Sequence, residues 1–255
     1  MSKLTAESKF LDFSDYGRSF GKLIARRLKN TKTTPIHVTW MFILSAFIAL
    51  FFIVQGSYKL AAFFILLKSG IDAADGELAR LKNTPSHTGR YFDSVSDSIL
   101  NLLFFMSFAY VTNTSYVFAF IAFLSCQMQG TLYNYYYVIL RNRSLNGDTT
   151  SRIFEKNAPN SFPGESQKNV NRFFKLYKIL YGVFDWIIYK LDKSASKMET
   201  VPKWFMTMLS LYGLGFQLLI MSVFLILGWK EFIILFFIVY SCLILLFIGI
   251  RKFFL

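Results

Sequence analysis

The stretch that decides the fold runs Asp72-Ala-Ala-Asp75-Gly76-Glu77-Leu-Ala79-Arg80-Leu-Lys-Asn83-Thr84-Pro85-Ser86-His-Thr-Gly89-Arg-Tyr-Phe-Asp93-Ser-Val-Ser-Asp97, between two apolar runs at 60–71 and 99–111. Neither run can cross a bilayer alone, because a spanning helix needs about 20 mostly apolar residues. Each reaches that length only by absorbing part of the polar stretch. Carboxylates are therefore carried on helices at membrane depth, where they are costly and mark function.

Four further apolar runs, 38–54, 116–140, 204–227 and 232–250, bring the total to six. The 255 residues are 54% hydrophobic, 19% aromatic and only 17% charged, with a mean hydropathy of +0.42. These figures exclude a soluble domain of ordinary composition and a disordered chain. A disulfide scaffold is excluded too, since the two cysteines, Cys126 and Cys242, each sit inside an apolar run and read as small buried hydrophobes. The predicted fold class is an all-α integral membrane protein of six transmembrane helices. An N-terminal amphipathic interfacial helix precedes them, and a cytoplasmic insertion separates helices 4 and 5.

Of the 28 basic residues, 25 fall before the first run, between the second and third, between the fourth and fifth, or after the sixth. Basic residues mark the cytoplasmic side, which places both termini and the two charged loops there. The net charge of +13 thus reads as topology, and no nucleic-acid partner is expected, because no basic stripe has the aromatic spacing of a binding module. No cleavable leader is expected in residues 1–35. The segment 10–28 alternates large apolar residues with Arg and Lys at helical spacing and is expected on the surface of anionic lipid. The insertion spans about 141–203, and its second half, 170–191, repeats large apolar residues every three or four positions. It reads as a second interfacial helix or as one packed on the protein itself. The organisation is thus a cytoplasmic amphipathic segment, 1–35, followed by one membrane catalytic domain, 36–255.

On the second helix Asp72 and Asp75 are three residues apart and share a face, and Asp93 and Asp97, four apart, do the same on the third. Between them Asn83 to Ser86 supply a turn, with Pro85 opposing a continuous helix. The two helices are then antiparallel neighbours whose four carboxylates converge near the cytoplasmic surface. Like charges so close need relief, either by protonation, as in a proton relay, or by divalent cations. An all-oxygen set without Cys or His suits Mg²⁺, Mn²⁺ or Ca²⁺ rather than zinc, and two such ions 3.5 to 4 Å apart are the usual device of phosphoryl transfer. Gly76 and Ala79 remove bulk beside Asp75, either to admit a ligand or to pack helices closely. Arg80 is within reach of a phosphate.

Taken together, Asp72-x2-Asp75-Gly76-x2-Ala79-Arg80-x8-Gly89-x3-Asp93-x3-Asp97 resembles the signature of the class I CDP-alcohol phosphotransferases (CDP-alcohol phosphatidyltransferases) at every defined position, eight over 26 residues. The resemblance implies a six-helix membrane enzyme of phospholipid synthesis. It implies Asp72, Asp75, Asp93 and Asp97 as ligands of two divalent cations, Mg²⁺ or Mn²⁺, with Asp97 also the catalytic general base. It implies Gly76, Ala79 and Arg80 as contacts of the CDP moiety, with Ser86 at a position where the family often places a phosphate-contacting hydroxyl. A further family motif, Pro-Asn-x-x-Thr, stands here as Thr34-Pro35-Ile36-His37-Val38-Thr39, with Ile36 replacing Asn. His37 is the candidate substitute for that nucleotide contact, and a polar helix-start role is its alternative.

The implied partners are a CDP-linked lipid or CDP-alcohol substrate, an alcohol acceptor and membrane lipids; a homodimer is left open. The expected reaction passes a phosphoalcohol group from the CDP-linked substrate, CDP-diacylglycerol foremost, to the acceptor and releases CMP. Arg141, Arg143 and Arg152 are candidates for an acceptor phosphate and Asn134 for the cavity wall, against ordinary positive-inside and aromatic-belt readings. The competing class is a cation transporter or channel using the same carboxylates. It is disfavoured because the acids cluster on two helices with no matching polar path through the rest of the bundle.

Overall fold

The computed structural model describes residues 4–145, 155–198 and 200–254. Among them there is no strand, and the helices are α1 (Arg18–Leu28), α2 (Pro35–Val54), α3 (Tyr58–Lys82), α4 (His87–Thr112), α5 (Tyr116–Ser144), α6 (Gln167–Leu191), α7 (Lys203–Leu209), α8 (Leu214–Ile226), α9 (Ile233–Tyr240) and α10 (Leu243–Phe254). Local sequence fixes their ends. α2 opens on a capping box in which the Thr34 hydroxyl receives the His37 amide and His37 Nδ1 receives the Thr34 amide, with Pro35 at the first helical position, where its missing N–H costs nothing. α3 stops at Asn83, whose φ of 53° is left-handed, a conformation Asn tolerates better than most side chains. Pro85 bars its continuation, and Ser86 then caps α4 by accepting the Gly89 amide at 2.8 Å. The turn therefore falls at 83–86, as the sequence predicts.

Three segments are long and apolar enough to cross a membrane: Pro35–Val54, His87–Thr112 and Lys230–Phe254. A fourth, Lys203–Tyr212 with Leu214–Ile226, qualifies as a pair bent by 50°. α3 and α5, with 25 and 29 residues, have the length but not the apolarity. Their polar residues face inward: Lys68, Ser69 and Glu77 of α3 and Gln127, Gln129 and Thr131 of α5 are all buried. The outward faces are apolar, with Leu44, Phe47 and Phe51 of α2, Phe63 of α3 and Val117 of α5 all more than half exposed. The arrangement fits a multi-pass membrane protein.

Helix α3 is central, packed against α1, α2 and α8. Its contact with α1 is unusually close. A Cβ on Gly21 would lie 2.8 Å from the Ala73 carbonyl carbon, and one on Gly17 would lie 3.1 Å from Gly70 Cα, so a side chain at Gly21 would force the backbones apart and one at Gly17 would crowd them. Ahead of α1, the short 3-10 turn Phe13–Asp15 wedges against the bend between α7 and α8. There the Phe13 amide donates to Ser210 Oγ at 3.0 Å, and a Cβ on Gly213 or Gly215 would collide with Ser14. The insertion is pinned at its far end by Asp192, fully buried and bound by Arg251 of α10 at 2.7 Å and by the Tyr136 hydroxyl.

Candidate active site

The hairpin of α3 and α4 brings one carboxylate oxygen each of Asp72, Asp75 and Asp93 within 4.8 Å of one another. Asp97, a turn further along α4, stands apart from that trio and pairs with the ammonium of Lys68. Lys68, one turn before Asp72 on α3, also lies 3.4 Å from Asp72 Oδ2. Thr39 of α2 donates to Asp75 Oδ2 at 3.2 Å, so the divergent 34–39 segment reaches the cluster through its threonine rather than through His37. Asp93 Oδ1 is buried with no hydrogen-bond partner. An orphaned carboxylate oxygen among converging hard donors, with no His or Cys beside it, fits a divalent cation of the Mg²⁺ or Mn²⁺ kind.

All four aspartates open onto one cavity of about 440 Å³. Gly76 and Arg80 line it as well, and the nearest atom to a Cβ on Gly76 would be Arg80 Nη1 at 3.5 Å. The missing side chain at Gly76 thus leaves open space in the cavity wall, whereas close helix packing is done by Gly17 and Gly21. Arg80 pairs with Glu77 at 3.0 Å, and its Nε has no partner. Glu77 points away from the cluster and is buried between Arg80 and Arg18. Ala79, Ser86 and His37 do not line the cavity. His37 serves as the cap of α2, and the Ser86 hydroxyl is taken by Glu165, to which it donates at 2.6 Å.

Glu165 belongs to the insertion and seats its carboxylate on the start of α4, accepting also the His87 and Thr88 amides at 3.2 and 2.9 Å. Burial works against its charge, but these hydrogen bonds prevail and hold its pKa below the usual value. Glu155 adds a second tie, with two hydrogen bonds to Arg90 at 2.6 and 2.9 Å and one at 2.5 Å from the Tyr91 hydroxyl. Together the two glutamates lash the insertion to α4, so that α6 covers the cavity. Tyr177, Tyr181 and Asp185 of α6 line it, and the Tyr181 hydroxyl donates to the Ser94 carbonyl at 2.9 Å. Burial pushes the Asp185 carboxyl up to about 7.

Another part of the wall is neutral and polar: Asn101 of α4 with Gln127, Thr131 and Asn134 of α5. Thr131 is 4% exposed and its hydroxyl has no partner. Asp12 and Asp15 of the N-terminal turn complete the lining. Arg141 is half-buried and outside the wall, Arg143 donates to the Met198 carbonyl at 3.2 Å, and Arg152 lies outside the described residues. Lys68, Thr131 and the two N-terminal aspartates escape the sequence reading, which met Thr39 only as the closing threonine of the 34–39 motif. Of the four, Lys68 left a trace, as a lone cation inside an apolar run one turn from Asp72.

A comparison with curated proteins finds no match. A family model described as CDP-alcohol phosphatidyltransferase matches residues 32–153, which hold the Asp72–Asp97 cluster, Thr39, Lys68, Gly76, Arg80 and Thr131. The family consists of transferases of phosphoalcohol groups. Residues 32–153 of this chain thus match the family whose signature the Asp72–Asp97 stretch resembles.

Proposed function

We propose that the protein transfers a phosphoalcohol group from a CDP-linked lipid, CDP-diacylglycerol, to an alcohol acceptor and releases CMP as a step of phospholipid synthesis. The observation that carries this reading is the convergence of Asp72, Asp75 and Asp93 beside Asp97, Gly76 and Arg80 on one cavity. A divalent cation held by Asp72, Asp75 and Asp93 would offset the charge that gathers on the departing CMP. Arg80, with an unpaired Nε in the wall, binds a phosphate oxygen, and the bare backbone at Gly76 lets the nucleotide approach α3. Asp97 takes the proton of the acceptor hydroxyl as it attacks. Asn101, Gln127 and Thr131 bind the acceptor's hydroxyl groups, since neutral donors and acceptors orient a polyol or amino alcohol without adding charge. Tyr177 and Tyr181 limit water over the cluster.

In this reading the chain crosses the bilayer six times, α3 and α5 included, with the cavity and both termini cytoplasmic. α1 and α6 lie along the interface. The exposed stripe of Ile179, Val183 and Trp186 on α6 supports that placement, because these residues recur at helical spacing on one face. The deciding experiment offers purified protein a labelled CDP-diacylglycerol, Mg²⁺ or Mn²⁺, and a panel of alcohols including phosphorylated polyols. CMP release with one acceptor supports the proposal. Failure with every alcohol and either ion refutes it.

A further inference from the structure

Lys68 is 1% exposed, and among the described residues it is the only fully buried lysine. A cation at that depth is unfavourable unless negative charge opposes it. Its ammonium meets Asp97, lies 3.4 Å from Asp72 Oδ2, and is 4.7 Å from the centroid of the Phe42 ring. Phe42 is itself fully buried, so an ammonium driven from the two carboxylates would be left against an apolar wall. Asp97, meanwhile, is absent from the trio whose oxygens gather within 4.8 Å. The carboxylates thus divide into a trio shaped for one ion and a pair, Asp72 with Asp97, already bridged by a fixed positive charge. A divalent ion between Asp72 and Asp97 would have to share their oxygens with the ammonium, and like charges at such range in a poorly hydrated site repel strongly.

From this division we infer that Lys68 takes the place of a second metal. The centre holds one divalent cation on Asp72, Asp75 and Asp93, and the ammonium bridges Asp72 and Asp97 where the family resemblance implies another ion. The inference rests on reading the trio as a metal centre. Lys68 is then a positioning residue. It orients Asp97 and leaves that carboxylate free of metal, and the charge it supplies does not vary with the concentration of free metal.

Counting Mn²⁺ on the full-length protein in lipid nanodiscs tests this, by equilibrium binding and by electron paramagnetic resonance, with and without added CDP. The wild type should bind one Mn²⁺ and show the six-line spectrum of an isolated ion. Lys68→Met, which keeps the length and removes the charge, should bind two with the spin coupling of ions about 4 Å apart, and Lys68→Arg should return the count to one. Two coupled ions on the wild type, or one on Lys68→Met, would overturn the inference while leaving the metal-centre reading intact. No bound Mn²⁺ on the wild type would overturn both. Should Lys68→Met fail to fold, the wild-type count decides alone.

Discussion

At the scale of single residues, the two faces of α3 make opposite predictions. Asp75→Ala removes one of three converging ligands and should raise the Mn²⁺ concentration for half-maximal activity while lowering the maximum. Glu77→Ala should leave metal affinity unchanged and instead lower the thermal unfolding midpoint, because its carboxylate serves Arg18 and Arg80. Asp97→Asn should reduce single-turnover CMP release by about 10² to 10⁴ if its carboxylate is the base; near-normal release would remove it from the mechanism. The four aspartates were legible in the sequence because helical periodicity alone puts Asp72 with Asp75 and Asp93 with Asp97. Thr131 was not, since a single hydroxyl on an apolar helix carries no periodic signal; Thr39 stood in the 34–39 motif, but its bond to Asp75 depends on which neighbouring helix it meets. Lys68 was visible as an anomaly, but its partner Asp97 is 29 positions away, and only the packed hairpin joins them.

At the scale of elements, the α1–α3 seam and the α6 cover carry the remaining tests. Gly21→Val places side-chain atoms where a Cβ already comes within 2.8 Å of Ala73. It should destabilise the protein by roughly 1–3 kcal/mol, read as a lower unfolding midpoint in detergent. On α6, burial raises the folded-state pKa of Asp185 to about 7, well above the ~3.9 of an unfolded aspartate. The folded state therefore holds the extra proton between those values, and stability falls as pH rises through that window. Asp185→Asn should lift the unfolding midpoint at pH 8 and change it little at pH 4; an equal change at both would contradict the shift. The amphipathic character of α1 and α6 is plain in the sequence, yet its meaning divides. α6 shows one apolar stripe outward while its tyrosines enter the cavity, and amphipathicity alone cannot say which face meets protein and which meets lipid.

At the scale of the whole molecule, six apolar runs were legible but only three or four qualify by apolarity, because α3 and α5 give their polar faces to a cavity that exists only once the bundle has closed. Sidedness can be read by a membrane-impermeant maleimide on intact cells carrying a Cys242→Ser background. Lys59→Cys should label from outside and Lys197→Cys only after permeabilisation, and the reverse pattern would invert the proposed topology. The wedge of Ser14 between Gly213 and Gly215 bears on how the protein is made. Asp12 and Asp15 beside that wedge form part of the cavity wall, so a turn that leaves the ribosome before the hairpin is held by residues made well after it. A nascent chain inserted as far as α5 already owns all four aspartates of the hairpin, but its N-terminal turn has nowhere to dock. Translation must pass Gly215 before the wall can close, and a truncated product would carry the signature without the enclosure that makes it a site.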